Sequence, residues 1–286
     1  MKLNLSRTAS FLIIAVVYAL AIASSVVVYN VLPLPFYLSI LIADIVGTVV
    51  TFAFSCVFKN ASVYDPYWSV QPVVILIALC FSTPLFVAQI LPLIAICIWG
   101  TRLTLNWAYT FKGLAHQDWR YTMLSQTTGK FYPVVNFLGI HLFPTLVVYA
   151  CVMPAVFVFV YNPLFNAVSI IFFILSLSAT LLQGVADCQM HSFRKTRPTP
   201  FIRIGLWKYS RHPNYLGEIL FWWGIGLFAV LLMPDKWWLL SGALLNTLIF
   251  FCVSIPLAEK RNSKRDGFEE YKKQTRVILP IYKGHK

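Results

Sequence analysis

Eight long apolar runs constrain this chain more than any other feature of its sequence. A helix of about 20 apolar residues crosses the ~30 Å hydrocarbon core of a bilayer, because a helix satisfies its own backbone polar groups there. The composition agrees, with 59% hydrophobic and only 12% charged residues. The sequence therefore predicts an all-α integral membrane protein, a multi-spanning bundle of about eight transmembrane helices (seven if the short third run is re-entrant). The runs cover roughly residues 9–29, 36–57, 70–83, 85–107, 136–160, 164–186, 214–233 and 237–257.

The positions of the basic residues predict the orientation of these helices. If the N-terminus is cytoplasmic, the outer turns are residues 30–35, 84, 161–163 and 234–236, and of 23 Lys and Arg only Lys236 falls in them. Basic residues concentrate on the cytoplasmic side of membrane proteins. We therefore expect both termini to be cytoplasmic, in a bacterial inner membrane or a membrane of the endoplasmic reticulum type.

The net charge of +13 then belongs to one face of the membrane. Such a face attracts anionic lipid headgroups, so membrane lipids are expected partners. Nucleic acid is not, because the chain has no basic soluble domain. The six cysteines lie in or beside apolar runs and form no CxxC pair, so we expect reduced core cysteines and no metal site.

A basic and aromatic turn separates the sixth and seventh apolar runs. Six cations lie between residues 194 and 211. Guanidinium groups bind phosphate bidentately, and aromatic rings stack on flat heterocycles. Lipid headgroups would account for the cations alone, whereas Asn, Tyr and Glu placed a turn apart after Pro213 favour a nucleotide. The predicted cofactor-binding residues in this turn are Arg194, Arg203, Tyr209, Arg211, His212, Asn214, Tyr215 and Glu218.

Two further segments extend this prediction. Asp187 shares one helical stripe with His191 and Arg194, and a carboxylate at the end of a membrane helix is costly unless it is paired or functional. It either braces the loop or holds a ligand hydroxyl or amide, and we count it as cofactor-binding. The tail segment around Tyr271 is either an amphipathic surface helix or a flap over a bound nucleotide. We count Tyr271 as well.

The loop "NASVYDPYWSVQP" after the second run offers candidates for chemistry. An interfacial aromatic belt explains Tyr64 and Tyr67, but it does not explain Asp65 between them. A carboxylic acid in apolar surroundings can serve as a proton donor. The predicted catalytic residues are therefore Tyr64, Asp65 and Tyr67, with the belt as the alternative.

One pattern is set aside. "GIGLFA", from Gly224 to Ala229, matches the glycine pattern of dinucleotide-binding folds. It lies in the middle of an apolar run with no preceding strand, so that interpretation fails. Small residues at this depth favour close packing between helices.

Several of these motifs resemble a known superfamily. "GLWKYSRHPNYLGE" after "ADCQMHSFR", with "FEEYKK" and "ILP" in the tail, resembles the membrane steroid 5α-reductases and sterol reductases. "YDPYWSVQP" and "HQDWRY" are similar to its DUF1295 branch, so the resemblance covers most of residues 58–282. Isoprenylcysteine carboxyl methyltransferases share the RHP turn more loosely.

The resemblance implies NADPH as the cofactor. In the reductases, an Asp and an Arg seven residues apart contact the cofactor, which Asp187 and Arg194 match. An Asn and a Glu four apart follow, matched by Asn214 and Glu218, and a tail Tyr is matched by Tyr271. Steroid reductases also use a Glu and a Tyr from their N-terminal helices to polarise an enone carbonyl, and the sequence shows no clean counterpart of that pair.

The predicted function is the first of three, and the other two are alternatives. The first is an NADPH-dependent reductase that transfers hydride to a conjugated C=C of a lipophilic substrate from the bilayer. The second is an S-adenosylmethionine-dependent membrane methyltransferase, and the third is a non-enzymatic lipid-binding protein. We treat residues 1–286 as one membrane domain, with a substrate cavity in residues 1–135 and a cofactor-binding part in residues 136–286. The oligomeric state is left open.

Overall fold

A computed structural model describes residues 5–280, and residues 281 and 282 of the resembling stretch lie outside it. It confirms the all-helical prediction, since no β-strand occurs between residues 5 and 280. Two π-helical turns, Asn136–Leu142 and Phe250–Ser254, interrupt the α-helices. The α-helices are α1 Arg7–Val31, α2 Phe36–Val57, α3 Tyr67–Cys80, α4 Val87–Thr110, α5 Trp119–Thr128, α6 Tyr132–Val135, α7 Phe143–Tyr161, α8 Ile170–Thr196, α9 Pro213–Leu232, α10 Ser241–Ile249, α11 Ile255–Asn262 and α12 Phe268–Gln274.

The predicted number of membrane spans is confirmed. Eight helical stretches of the described chain are long and apolar enough to cross a bilayer. The third begins at Ala61, well before the predicted start, and reaches 20 residues. The orientation of the termini stays a prediction. The stretches are Arg7–Val31, Phe36–Val57, Ala61–Cys80, Val87–Thr110, Trp119–Tyr161, Ala167–Thr196, Pro213–Leu232 and Pro234–Asn262.

The chain forms two compact units. The first, here called the N-unit, comprises the residues up to 85 together with 99–156. The second, the C-unit, comprises 86–98 together with the residues from 157 onward. The predicted division at residue 135 concerns where substrate and cofactor bind, and it stays a prediction.

The N-unit is organised by the packing of α1 against α2 and by an aromatic core. Tyr18 of α1 donates a hydrogen bond to the carbonyl of Val63, 2.9 Å away, in the short turn before α3. The Tyr18 ring meets the Tyr67 ring edge-on, with centroids 6.0 Å apart. These contacts anchor the loop that carries the predicted catalytic residues to the first helix.

The C-unit is built on the antiparallel pair α8 and α9. A Cβ on Gly217 would lie 2.7 Å from the Ala179 carbonyl, and one on Gly224 would lie 2.9 Å from the Phe172 carbonyl. Two glycines of α9 therefore let the α8 backbone approach closely. The prediction that the small residues of "GIGLFA" serve helix packing is confirmed at Gly224.

The cysteines depart from expectation. No disulfide joins any of the six within the described chain, but only Cys151 is buried, while Cys56, Cys188 and Cys252 are exposed on the helix surfaces. The expectation of core cysteines is therefore wrong for these three. A membrane helix presents one apolar face to lipid, so an apolar run does not by itself place a residue in the core.

The α8–α9 contact can be tested with one substitution. We expect Gly224→Ala to destabilise the protein by about 1–3 kcal/mol, because the new methyl group meets the α8 backbone. Gly139→Ala is the matched control, since its Cβ would meet nothing closer than Val135 at 4.0 Å. Thermal unfolding in detergent measures both. Equal stability of the two variants would contradict the close approach.

Candidate functional site

Two loops of the N-unit dock on each other at one end of the unit. Asn60 is buried and donates from its side chain to the carbonyls of Leu114 (2.7 Å) and His116 (3.0 Å). Its own oxygen accepts from the Ser62 amide at 2.9 Å and caps the short helical turn there. The amide of Asp118 donates in return to Ser62 Oγ at 2.9 Å. The loop with the predicted catalytic residues is thus held rigidly.

The three predicted catalytic side chains form hydrogen bonds with three different partners. The Tyr64 hydroxyl lies 2.8 Å from Thr145 Oγ1. Asp65 accepts a hydrogen bond from the Tyr121 hydroxyl at 2.5 Å. Tyr67 donates to another carboxylate, Asp44 of α2, at 3.0 Å. Whether these residues are catalytic stays a prediction, but Asp65 is not the carboxylate that Tyr67 contacts.

Asp44 is the functional candidate that the sequence reasoning missed. It is 3% exposed within the second candidate span. Besides Tyr67 Oη at Oδ1, its Oδ2 accepts from Gln71 Nε2 at 2.5 Å. A buried carboxylic acid at membrane depth marks a functional position by default. We call Asp44, Tyr67 and Gln71 the acid cluster.

A glycine on α2 makes room for the acid cluster. A Cβ on Gly47 would lie 2.5 Å from the Tyr67 hydroxyl oxygen. The absence of a side chain there lets the Tyr67 hydroxyl reach Asp44, one turn before Gly47 on the same helix.

A second run of hydroxyl groups adjoins the acid cluster. Thr145 donates to the carbonyl of His141 at 2.9 Å, so its oxygen accepts the proton of the Tyr64 hydroxyl. Thr48 contacts Thr145 at 2.9 Å and donates to the backbone carbonyl of Asp44 at 2.9 Å. The Tyr64 and Tyr67 rings lie 5.4 Å apart, so both tyrosines of the predicted set line the same polar interior of the N-unit.

In the C-unit, the α8–α9 register brings several predicted cofactor residues to one level. Gly217 of α9 faces Ala179 of α8, and Gly224, seven residues later on α9, faces Phe172, seven residues earlier on α8. The two helices are therefore antiparallel and in register over this stretch. One turn earlier on α9, Asn214 therefore lies level with the α8 turn that leads to Asp187. Asp187 interacts electrostatically with His191 and Arg194. The predicted stripe on α8 and the start of α9 thus occupy the same end of the helix pair.

Four arginines gather at that end of the C-unit. Arg194 of α8 interacts electrostatically with Arg197 and with Arg261 of α11. Partial burial, together with repulsion from Arg261, Arg197 and Arg194, lowers the pKa of Arg265 below its usual range. Grouped cations of this kind bind anions with several negative oxygens, because the anion relieves their repulsion. We call Arg194, Arg197, Arg261 and Arg265 the guanidinium cluster.

Arg211 and His212 are engaged by a carboxylate of α11. Arg211 Nε and His212 Nε2 lie 2.9 Å and 3.0 Å from Glu259 Oε1. Arg211 also donates to the carbonyls of Thr275 and Lys272. The guanidinium of Arg211 therefore joins the start of α9 to α11 and the tail, and a phosphate would have to compete with these partners for it.

The remaining residues at the start of α9 include an open acceptor. Asn214 Oδ1 is buried and has no hydrogen-bond partner within the residues that the structure describes. Glu218 is buried and accepts from Trp222 Nε1 at 2.8 Å. The Tyr215 ring stacks on His212, with centroids 5.0 Å apart and the planes 4° from parallel. Asn214 thus offers a ligand an acceptor that the protein does not use itself.

The other predicted cofactor residues have different surroundings. Tyr271 is buried, and its hydroxyl donates to the Trp207 carbonyl. Burial raises the pKa of Tyr271 well above its usual range. Arg203 is exposed and lies 6.0 Å from the Phe201 ring, and Tyr209 is exposed beside Lys208. Tyr271 therefore fastens α12 to the basic turn, which fits a tail folded onto the C-unit.

Asp44, Arg261 and Arg265 were not predicted as site residues, although the sequence contains weak indications of them. Asp44 is the single carboxylic acid in the run 36–57. Arg261 and Arg265 stand four residues apart after the last apolar run. Both patterns give only a position along the chain. The residues become candidates for a functional site because the structure shows which other side chains lie near them.

Fold and site together define a multi-pass helical membrane protein with a buried acid cluster in one unit and grouped arginines in the other. The chain belongs to the family described as "Protein of unknown function (DUF1295)", which matches residues 51–275. This range holds every residue predicted above for catalysis or cofactor binding, whereas Asp44 lies before it.

Comparison with individual proteins adds one relative. The uncharacterized protein C594.04c of Schizosaccharomyces pombe is 27% identical over 250 residues, covering 76% of this chain and 68% of the relative. No solved structure matches the chain. These matches confirm the DUF1295 part of the resemblance.

The carboxylate that holds Arg211 and His212 can be tested by removing its charge. We expect Glu259→Gln to cost about 3 kcal/mol, because it leaves a mostly buried guanidinium without its counter-ion. Hydrogen exchange in residues 268–280 should accelerate as the tail loosens. The control Glu269→Gln removes an exposed partner of Lys272 and should change stability by less than about 1 kcal/mol. Unchanged exchange in the Glu259 variant would contradict this role.

Proposed function

We propose that this protein is an NADPH-dependent membrane reductase acting on a conjugated C=C bond of a lipophilic substrate taken from the bilayer. The observation that carries the proposal is the acid cluster, in which Asp44 and Tyr67 meet in the buried interior of the N-unit. The resemblance to steroid and sterol reductases, within which DUF1295 would be a branch, supplies the reaction class.

The acid cluster suits the polarisation of a carbonyl group. Steroid reductases use a carboxylic acid and a Tyr for this purpose, and Asp44 with Tyr67 is a pair of the same types. When the substrate binds, the hydrogen bond between the two residues reverses: protonated Asp44 donates to the Tyr67 oxygen, which leaves the single Tyr67 proton for a substrate oxygen. Gln71 holds the other oxygen of Asp44. A single preorganised donor in a water-poor site stabilises a developing enolate by about 3–4 kcal/mol.

The residues of the C-unit fit a phosphorylated dinucleotide. The guanidinium cluster matches negatively charged phosphate oxygens, and the open Asn214 Oδ1 accepts from an amide or ribose hydroxyl. Asp187 stands at the same end of the helix pair. Bound NADPH supplies the hydride, and the acid cluster supplies the proton that completes the addition across the C=C bond.

The cofactor part of the proposal is tested by binding. We expect purified full-length protein to bind NADPH saturably, measured by the change in its fluorescence. Arg194→Ala and Arg261→Ala should each weaken binding about tenfold or more, because each removes a charged hydrogen-bond donor. The control Lys273→Ala removes an exposed cation of the same unit and should leave the affinity unchanged.

Two results would overturn the assignment of NADPH. Saturable binding of S-adenosylmethionine without binding of NADPH would identify a methyltransferase. Failure to bind either nucleotide tightly would leave a lipid-binding protein.

The acid cluster is tested by turnover. With testosterone as an enone probe, we expect Tyr67→Phe and Asp44→Asn to slow NADPH oxidation by about 10²–10³-fold while NADPH binding persists. Tyr37→Phe is the control, since its side chain is exposed in the same unit. Wild-type turnover by Tyr67→Phe would remove Tyr67 as the donor.

A further inference from the structure

A histidine that the proposed reaction does not use lies in the interior of the N-unit. His141 sits in the π-helical turn Asn136–Leu142 and is 0% exposed. Its Nδ1 lies 2.9 Å from the carbonyl oxygen of Asn136. A carbonyl can only accept, so Nδ1 carries the proton and Nε2 presents a lone pair. Nε2 is buried and has no hydrogen-bond partner among residues 5–280.

Asn136 provides a second acceptor of the same kind. Its Nδ2 faces Ser55 Oγ at 3.4 Å, and Ser55 gives its own proton to the Phe52 carbonyl at 2.8 Å. Ser55 Oγ therefore accepts, which fixes the orientation of the Asn136 amide. Asn136 is 5% exposed, and its Oδ1 is then a buried acceptor without a partner in the described part of the chain.

The surroundings of His141 are aromatic. The ring centroid of Phe52 lies 5.4 Å from that of His141, and the Tyr64 centroid lies 4.8 Å away. An acceptor that loses water on burial and gains no partner destabilises the fold. Single π-helical turns are frequent at functional sites. Two such acceptors on one π-helical turn therefore indicate a ligand that brings a hydrogen-bond donor.

We propose that the N-unit binds a lipophilic alcohol whose hydroxyl group donates to His141 Nε2. Asn136 Oδ1 offers a second acceptor one π-helical turn earlier. A ligand that carried only carbonyl or ether oxygens would place its lone pairs against those of the protein, so the site selects for hydroxyl groups. The aromatic rings of Phe52 and Tyr64 contact the apolar body beside the hydroxyl.

The inference deepens the proposed reductase, on which it rests, by naming a feature of the substrate. Tyr64 contacts both the Tyr67 ring and the His141 ring. Tyr67 of the acid cluster offers a hydrogen-bond donor, and the His141 turn offers acceptors. The carbonyl end of a ligand therefore binds at Tyr67, and its hydroxyl end binds at His141. The substrate class is a lipophile with a carbonyl-conjugated alkene and a separate hydroxyl group.

Binding of two matched probes tests the inference without any turnover. Full-length protein in detergent is titrated with 1-hexadecanol and with its methyl ether, and occupancy is read by native mass spectrometry. We expect the alcohol to bind about tenfold more tightly than the ether, since only the alcohol donates. His141→Phe should abolish this difference, and Asn136→Leu should reduce it. The control His116→Phe changes an exposed His of the same unit and should keep it.

A spectroscopic readout separates ligand from trapped water. In protein labelled with ¹⁵N-histidine, the resonance missing from His141→Phe is assigned to His141, and its Nε2 shift should move with the alcohol and not with the ether. An Nε2 already hydrogen-bonded in the ligand-free protein and unchanged by the alcohol would show a water only. That result, equal binding of both probes, binding of neither, or an alcohol preference retained by His141→Phe would overturn the inference.

Failure of the proposed reductase would look different. Asp44→Asn should lose NADPH oxidation and keep the alcohol preference, because that preference depends on His141 and Asn136 and not on Asp44. Absence of NADPH binding with a retained alcohol preference would refute the reductase and leave the alcohol site standing.

Discussion

The constraint on which this structure depends is that polar groups at membrane depth must find partners within the protein. The buried Asp44 carboxylate meets it through Tyr67 and Gln71. Between the spans, the buried Asn60 does the same for two loops by donating to the carbonyls of Leu114 and His116. Buried acceptors without a partner among the described residues are few, and they include oxygens of Gln71, Asn136 and Asn214 and the Nε2 of His141. In hydrocarbon, an acceptor without a partner raises the free energy of the folded protein by several kcal/mol. Such acceptors therefore indicate positions where a ligand can donate a hydrogen bond.

In the C-unit, buried basic side chains also have partners within the protein. Glu259 holds Arg211 and His212 at the start of α9, and the carbonyls of Lys272 and Thr275 complete the partners of Arg211. This arrangement makes Arg211 part of the scaffold. The arginines that remain for anion binding lie at the ends of α8 and α11, where their mutual repulsion favours a ligand that brings several negative oxygens.

The helical architecture was predictable from sequence because the length and apolarity of a span are local properties. The partners of polar residues were not. Asp65 is two residues from Tyr67, yet the helical turn at Ala61–Val63 and the start of α3 direct the two side chains to Tyr121 and Asp44. Asp44 is 23 residues from its tyrosine. Likewise, Arg211 was predicted to bind phosphate because the sequence does not indicate that Glu259, 48 residues away, is its partner.

The two units differ in the kind of group that they leave for a ligand. The N-unit presents neutral acceptors among aromatic rings, which suits an uncharged lipophile with a hydroxyl group. The C-unit presents grouped guanidinium groups and the Asn214 oxygen, which suits a polyanion with amide or hydroxyl donors. A protein that only held lipid would need the first of these alone. The proposed reductase depends on the acid cluster as well, because the proposed reaction needs a group that delivers a proton.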